Sequence, residues 1–331
     1  MAKRVTIAEV AHRVGVTPAT VSMALSGNTR ISAATRAKVE QAAAELGYVP
    51  SSAGRALRRQ QAGAVALIVP NTSDHTFGHL YFMHVLTGLA KVAARHGSQV
   101  IVSTSDGATG TAYERVLQSR SADGVIVTSA AVDDPNMTAL IASGLPAVLI
   151  GNSRDTAAIS VGIDDVTASE TITRHLIDVH GCRHLLHVTG TLDHQAGIDR
   201  LEGFRRAVRA AGVESAVVEG DLSEPSGAAA VQHLPTPVDG IVSANDDMAV
   251  GALRVLLARG VAVPDQVRIV GFDDFGLSRL TTPMISTVTV PAEEMARVAT
   301  ETLFAVINGT HRSPAHTELP VRYTYRRSCG C

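Results

Sequence analysis

Thirteen histidines and three cysteines are the residues of this 331-residue chain best suited to metal or redox chemistry. His75, His79 and His84 fall in one stretch, and His180, Cys182, His184 and His187 in another. Zinc sites usually draw on closely spaced Cys or His pairs, and neither stretch repeats such a pair. His184 and His187 lie in an apolar run that reads as a strand, where their odd separation turns them to opposite faces. The tail Ser328-Cys329-Gly330-Cys331 could hold metal or oxidise, yet a frayed terminus with free thiols is the expectation in a reducing compartment. An odd number of cysteines gives no disulfide framework. No metal and no cofactor are expected. Enzyme signatures are equally scarce. Asp106-Gly107-Ala108-Thr109-Gly110 follows a strand-like run but does not spell GxGxxG, and neither a phosphate-binding GxxxxGKS/T nor a GxSxG elbow occurs. No catalytic residue is expected, and the chain reads as a non-enzyme.

A different chemistry, contact with nucleic acid, emerges when the charge is split along the chain. The formal net charge is only -2. Residues 1–60 carry nine Lys or Arg against Glu9, Glu40 and Glu45, a net +6, so the remainder is −8. A basic head on an acidic body suits a nucleic-acid-binding module joined to something else. The first residues lack the apolar run of a secretory signal, and no stretch approaches the roughly 18 apolar residues of a membrane span. With 45% hydrophobic residues a sizeable core is available. The expectation is a cytoplasmic protein with no membrane contact.

The elements of the head follow from capping rules. Thr6 can cap a helix over Ile7–Val14, with Glu9 completing a capping box. Gly15 breaks it, and Thr17-Pro18 restarts a helix to about Leu25. Ala8, Val10, Val14, Val21 and Leu25 are spaced to share a buried face. Helix, glycine turn, helix is the pattern of a helix-turn-helix. Val21, Ala24 and Leu25 point inward, which leaves Pro18, Ala19, Ser22 and Met23 on the outer face. A third helix, Ser32 to Leu46, repeats Ala37, Val39, Ala43 and Leu46. A small helical bundle with no DNA role would share this pattern, but not the basic charge.

Beyond Ala64, the apolar runs VALIVP, QVIVST, GVIVT, PAVLIG, HLLHVTG, AVVEG, GIVSAN and VRIVGF alternate with helix-length segments. Examples are Phe82–His96, Ala112–Arg120, Ala168–Val179, Leu201–Ala211 and Asp247–Arg259. Strand, helix, strand in series predicts parallel sheets covered on both faces, here in two similar lobes. Ligands bind such sheets beyond the carboxyl ends of the strands.

TIAEVAHRVGVTPATVSMALSG, ISAATRAKVEQAAAELGYVPSSAGRAL, SANDDMAVGAL and VPDQVRIVGFDD, in this order and spacing, resemble the LacI/GalR family of bacterial transcription regulators over essentially the whole chain. The resemblance implies an α/β protein: an all-α helix-turn-helix head (1–49), a hinge helix and linker (50–62), and a two-lobed domain like the periplasmic binding proteins (63–331). The near lobe would take about 63–162 and 292–320, the far lobe about 163–291 and 321–331. A homodimer on a pseudo-palindromic double-stranded DNA operator is implied, most simply as a repressor. Its DNA affinity would change with a small effector, a sugar or sugar derivative, held between the lobes. The DNA-contacting positions carried over are Thr6, Thr17, Pro18, Ala19, Thr20, Ser22, Met23, Arg30, Tyr48, Ser51 and Leu57. Leu57 matches the hinge leucine that wedges into the minor groove, where an apolar side chain partly unstacks a base step. The effector-contacting positions are Phe82, Arg200, Asn245 and Asp273, and an Arg facing an Asp can hold hydroxyls or a carboxylate. His79 or His194 could also touch the effector.

Several residues depart from the family pattern. Met23 stands where arginine is usual, and it cannot grip guanine O6 and N7 as arginine does. Gly54 replaces the usual hinge alanine, at roughly 1 kcal/mol of helix stability. Gly151, Leu222 and Val290 stand where aspartate, an aromatic ring and glutamine are common, and loop 71–79 is longer. These changes trade hydroxyl partners for apolar wall. No heptad helix follows the body, so a dimer rather than a tetramer is expected. The rival readings are a periplasmic-type binding protein without a DNA role and an α/β enzyme. Steep salt dependence of DNA binding separates them from a regulator.

Overall fold

A computed structural model describes residues 5–26, 28–48, 61–70, 79–105, 110–154, 157–232, 237–312 and 315–331. Ser51, Gly54 and Leu57, and all of loop 71–79 except His79, lie outside them. Contacts divide the chain into two units, Met1–Ala62 and Gly63–Cys331.

Among its described residues the head has three helices, each started by a side-chain cap. Thr6 caps α1 (Ile7–Val14) in a full capping box, its N–H donating to Glu9 Oε2 at 2.6 Å. Gly15 ends α1 with a left-handed φ of 74°. Thr17 caps α2 (Pro18–Leu25), accepting from the Thr20 N–H at 3.1 Å. Ser32 caps α3 (Ala33–Leu46). Val10, Ala11, Val21, Ala24, Val39, Ala42 and Ala43 form the core. Three residues of the head differ from the sequence expectation. Ala8 and Ala37 are exposed, because each sits two residues from a core valine and therefore on the opposite side of its helix. Ser22 is buried instead of facing outward, since α2 packs against both α1 and α3 and hides a wide face.

The second unit contains two six-stranded sheets. Its elements run β1 (Ala64–Val69), α4 (Leu80–Arg95), β2 (Gln99–Thr104), α5 (Gly110–Ser119), β3 (Gly124–Thr128), α6 (Pro135–Ala142), β4 (Ala147–Ile150) and β5 (Ser160–Gly162). The chain then enters the other lobe with α7 (Asp165–Arg174), which passes directly into a π-helical turn, His175–Val179. There follow β6 (His184–Thr189), α8 (Gln195–Ala211), β7 (Glu214–Glu219), α9 (Glu224–Gln232), β8 (Gly240–Ser243), α10 (Asp246–Ala258), β9 (Arg268–Asp273) and β10 (Ser286–Thr289). Helix α11 (Ala292–Ile307) and β11 (His316–Glu318) return to the first lobe, and β12 (Arg322–Thr324) ends in the second.

The first sheet is ordered β11-β5-β4-β3-β1-β2 and the second β12-β10-β9-β8-β6-β7. Every pairing is parallel except β10 with β12. Strand β1 shows why its sequence is an unbroken apolar run. Val65, Leu67 and Val69 face a cluster with Val85, Leu89 and Leu303, whereas Ala66 and Ile68 face Tyr113 and Leu140. A parallel strand covered on both faces has no polar side to show. His184 and His187 do turn to opposite faces: His184 is half-buried, while His187 is fully buried and stacked on Phe204.

No helix among the described residues is long and apolar enough to cross a membrane. The tail is not frayed. Ser328 and Cys329 are fully buried. The Ser328 hydroxyl donates to the Ile269 carbonyl at 2.6 Å and accepts the Ser286 N–H at 2.8 Å, which stitches the chain end across β9 and β10.

Candidate functional site

The carboxyl ends of both sheets open on one cavity of about 530 Å³. Ser129 follows β3, Asn152 follows β4, Ile163 follows β5, and Thr191, Asp221 and Asn245 follow β6, β7 and β8; all line it. Strand termination explains the polarity of this lining, because backbone and side chains there have left the sheet ladder. Six non-glycine residues among those described have a left-handed φ, and Ser129, Leu222 and Asp273 of these border the cavity. Such backbone strain collects at functional sites.

Arg200 is the hub. Helix α8 begins at Gln195, earlier than the sequence suggests, so Arg200 sits in its second turn and not at a helix start. Its Nε donates to Asp165 Oδ1 at 2.8 Å, and Nη1 donates to the Ala244 carbonyl at 2.6 Å and to Asp273 Oδ1 at 3.3 Å. The guanidinium carbon lies 3.7 Å from the Phe272 ring centroid. Only 11% of the side chain is exposed. Burial works against its charge, but Asp165 and Asp273 outweigh it and raise the pKa of Arg200. Burial also dominates for the carboxylates: Asp165 is pushed up to about 6 despite Arg200, and Asp273 is raised.

The remaining expected residues take clear positions. Asn245 caps α10, its Oδ1 accepting the Met248 N–H at 2.9 Å while Nδ2 donates to the Leu222 carbonyl at 2.7 Å. Phe82 lines the cavity edge-on to Tyr81. His79 Nε2 lies 3.3 Å from Asp247 Oδ2 and 4.0 Å from Asp273 Oδ2, and His194 also lines the cavity. Gly151, Leu222 and Val290, the departures from the family pattern, all border it too.

Sequence reasoning did not foresee the contacts that join the lobes. Asn152 Nδ2 donates to the Ile163 carbonyl at 3.0 Å and to Asp199 Oδ2 on α8 at 3.2 Å. His194 Nε2 donates to the Ser129 carbonyl at 3.1 Å, and the Val132 N–H donates to the Asp193 carbonyl at 2.7 Å. Asp165 was missed because its helix was expected to begin only at Ala168. The pair Asp164-Asp165, a cap plus an acidic first turn, was the available signal.

On the head, Thr6, Thr17, Pro18, Ala19 and Arg30 are exposed, and Thr20 and Met23 are half-buried. Tyr48 packs against the small core. Apart from Ser22, the described DNA-contacting candidates thus keep access to solvent.

Residues 6–51 match the family model of bacterial regulatory proteins, lacI family, and residues 173–329 match that of a periplasmic binding protein-like domain. The chain is 33% identical to the HTH-type transcriptional regulator CelR of Thermobifida fusca, over 98% of each chain. It is 32% identical to the HTH-type transcriptional regulator AscG of Escherichia coli (strain K12), over 94% of this chain and 95% of that one. A solved lac repressor dimer, bound to operator and the anti-inducer ONPF, matches with a TM-score of 0.88 at 25% identity over 99% of each chain. A CelR–cellobiose complex matches with a TM-score of 0.75 at 32% identity, over 98% of this chain and 100% of that one. Both the head and the two-lobed body share in these matches, so the chain belongs to the lacI family of bacterial regulatory proteins, DNA-binding transcriptional regulators and not enzymes.

Proposed function

We propose that this regulator is a homodimeric repressor of the cytoplasm whose operator affinity changes when a neutral, hydroxyl-rich effector, a sugar or sugar derivative, binds between its lobes. The observation that carries this reading is the charge of the cavity. Asp165, Asp221, Asp247, Asp273 and Glu224 line it, and Arg200 is its one Lys or Arg among the described residues. Arg200 is itself neutralised by two of those carboxylates. Carboxylates accept hydrogen bonds from hydroxyls and repel anions, so a neutral sugar fits better than a sugar acid or phosphate. Arg200, Asn245, Asp273 and Phe82 are the proposed effector contacts, with Arg200 Nη2 the proposed donor to the ligand because Nε and Nη1 already donate to protein. Leu222, Val290 and Met295 supply the apolar wall that a sugar ring can lie against. A volume of about 530 Å³ lies within the range of ligand pockets. The relative crystallised with cellobiose supports a carbohydrate.

For DNA, the proposed contacts are Thr6, Thr17, Pro18, Ala19, Thr20, Met23, Arg30 and Tyr48, with Ser51 and Leu57 added by family pattern alone. Ser22 is withdrawn from the base-reading set because it is buried. Two heads related by two-fold symmetry require a pseudo-palindromic site. Closing the lobes can alter DNA affinity only by the difference in effector affinity between the two states. Calorimetry on the full chain with neutral mono- and disaccharides and with phosphorylated sugars tests the effector class. A neutral sugar should bind and change the mobility shift of operator DNA, and Asp273→Ala and Arg200→Ala should abolish its binding. Binding by phosphorylated sugars alone would overturn the reading.

A further inference from the structure

Four donor side chains from two distant parts of the chain meet at one point on the second lobe. They are His175 and His180, at the start and just past the end of the π-helical turn, and Cys329 and Cys331 of the tail. All four ligand atoms lie within 4.8 Å of one another. His175 Nε2 is 3.6 Å from Cys329 Sγ, 3.4 Å from Cys331 Sγ and 3.1 Å from His180 Nε2. His180 Nε2 is also 3.4 Å from Cys331 Sγ.

Hydrogen bonding does not account for this convergence. A ring nitrogen has one lone pair or one N–H, so His175 Nε2 can serve one of its three neighbours at a time. A tetrahedral zinc ion serves all of them together. Bonds of about 2.3 Å to sulfur and about 2.0–2.1 Å to nitrogen place neighbouring donors about 3.3–3.8 Å apart, close to the four separations above, so that an ion needs only to draw the widest pair, within 4.8 Å, together. Two sulfurs and two nitrogens are also a donor set that favours zinc among the common divalent ions.

The backbone at both segments is shaped to make the set. Residues five apart on an α-helix are turned about 140° from each other. The wider π-turn at His175–Val179 brings His175 and His180 back to one side, with ring centroids 4.8 Å apart. Gly330, with φ of 99°, lies between the cysteines in the left-handed region, so the chain reverses and both sulfurs face the same histidines. Ser328, fully buried and bonded to Ile269 and Ser286, anchors the tail one residue earlier.

We propose that His175, His180, Cys329 and Cys331 bind one Zn²⁺ in a closed site that fastens the end of the chain to the π-turn. Binding displaces the protons of both thiols, leaving thiolate ligands. With all four positions taken by protein the ion has no open site for substrate, so its role is structural. It lies away from the effector cavity: Ile269 and Ser286 are at the amino ends of β9 and β10, whereas the cavity lies at the carboxyl ends.

The test uses the untagged full-length protein. Metal analysis should find one zinc per chain. Cobalt(II) added to the zinc-free protein should give the intense visible bands of a tetrahedral site and a thiolate-to-cobalt charge-transfer band. Cys331→Ser and His180→Asn, at exposed and half-buried positions, should keep the native circular dichroism and lose both metal and bands. His184→Asn, a histidine outside the set, should keep them. A chelator should lower the Tm of the wild type by several degrees and leave that of Cys331→Ser unchanged. Absence of stoichiometric zinc together with cobalt bands lacking charge transfer would overturn the proposal, as would unaltered bands in both ligand variants. Loss of both thiols to a Cys329–Cys331 disulfide in metal-replete protein would overturn it too.

Discussion

Replacing Asp165 by asparagine should remove part of the pH dependence of folding. Asp165 is buried, with only 7% of its side chain exposed, and burial pushes its pKa from 3.8 up to about 6 even with Arg200 Nε 2.8 Å away. The folded chain therefore holds this proton more tightly than the unfolded chain. The stability it contributes is fully present below about pH 3.8 and is lost as the pH rises through about 6. The full difference corresponds to about 3 kcal/mol at 1.36 kcal/mol per pH unit. Between pH 5 and pH 7.5 the wild type should lose about 1.4 kcal/mol of stability through this group. Asp165→Asn keeps an oxygen for Arg200 but does not titrate, so the variant should lack that share of the loss. Asp273, raised in the same direction, contributes to the pH dependence of both proteins, and because it repels Asp165 its own share changes in the variant, which a parallel Asp273→Asn series measures. Urea unfolding followed by far-UV circular dichroism at the two pH values measures the effect, since the chain has no tryptophan for fluorescence. Equal pH dependence in wild type and variant would refute the placement of Asp165 as a buried carboxylate with a raised pKa.

Three further perturbations test other parts of the structure. Gly203→Ala on α8 would drive a Cβ into the Val166 carbonyl of α7, so thermal melts should show a loss of about 1–3 kcal/mol. Thr17→Ala removes the cap of α2 and should cost the head about 1 kcal/mol, visible in melting and as weaker operator binding. Selection of DNA from a random pool should yield half-sites with no fixed guanine opposite Met23, and Met23→Arg should introduce one. A strong guanine in the wild-type sites that disappears in Met23→Ala would sink that reading.

What could be read in the sequence was what local rules control. The bounds of α1 and α2 follow from Thr6, Gly15, Thr17 and Pro18, each acting within four residues. Strands such as β1 and β3 could be read because both of their faces are buried, leaving an apolar run. Strands β5, β10, β11 and β12 escaped notice: each has only three or four residues, too few to show a pattern, and exists through its place in a sheet. Buried Thr287 survives in β10 because its hydroxyl donates to Asp246 at 2.7 Å, which no local pattern announces. In the cleft, Arg200, Asn245 and Asp273 were legible through family pattern, whereas Asp165 and Asn152 gain their roles only where the chain passes between lobes. The tail was misjudged for a related reason. Cys329 and Cys331 find their partners about 150 residues upstream, and short-range spacing rules do not reach that far.

The weaving of the chain between lobes sets an order of assembly during synthesis. Strand β5 leaves the first sheet incomplete, the whole second lobe follows, and only then do α11 and β11 return; β12 completes the second sheet last. The head, by contrast, needs nothing beyond its own first unit for its core. About 260 residues separate the end of the head from β12, which at about 5–20 residues per second is a delay of roughly 15–50 s. Throughout that interval a ribosome-bound chain holds every residue of the head's core but only part of the sensor's two sheets. Translation thus delivers the two faculties of the regulator in sequence, first the address and then the sense that governs its use.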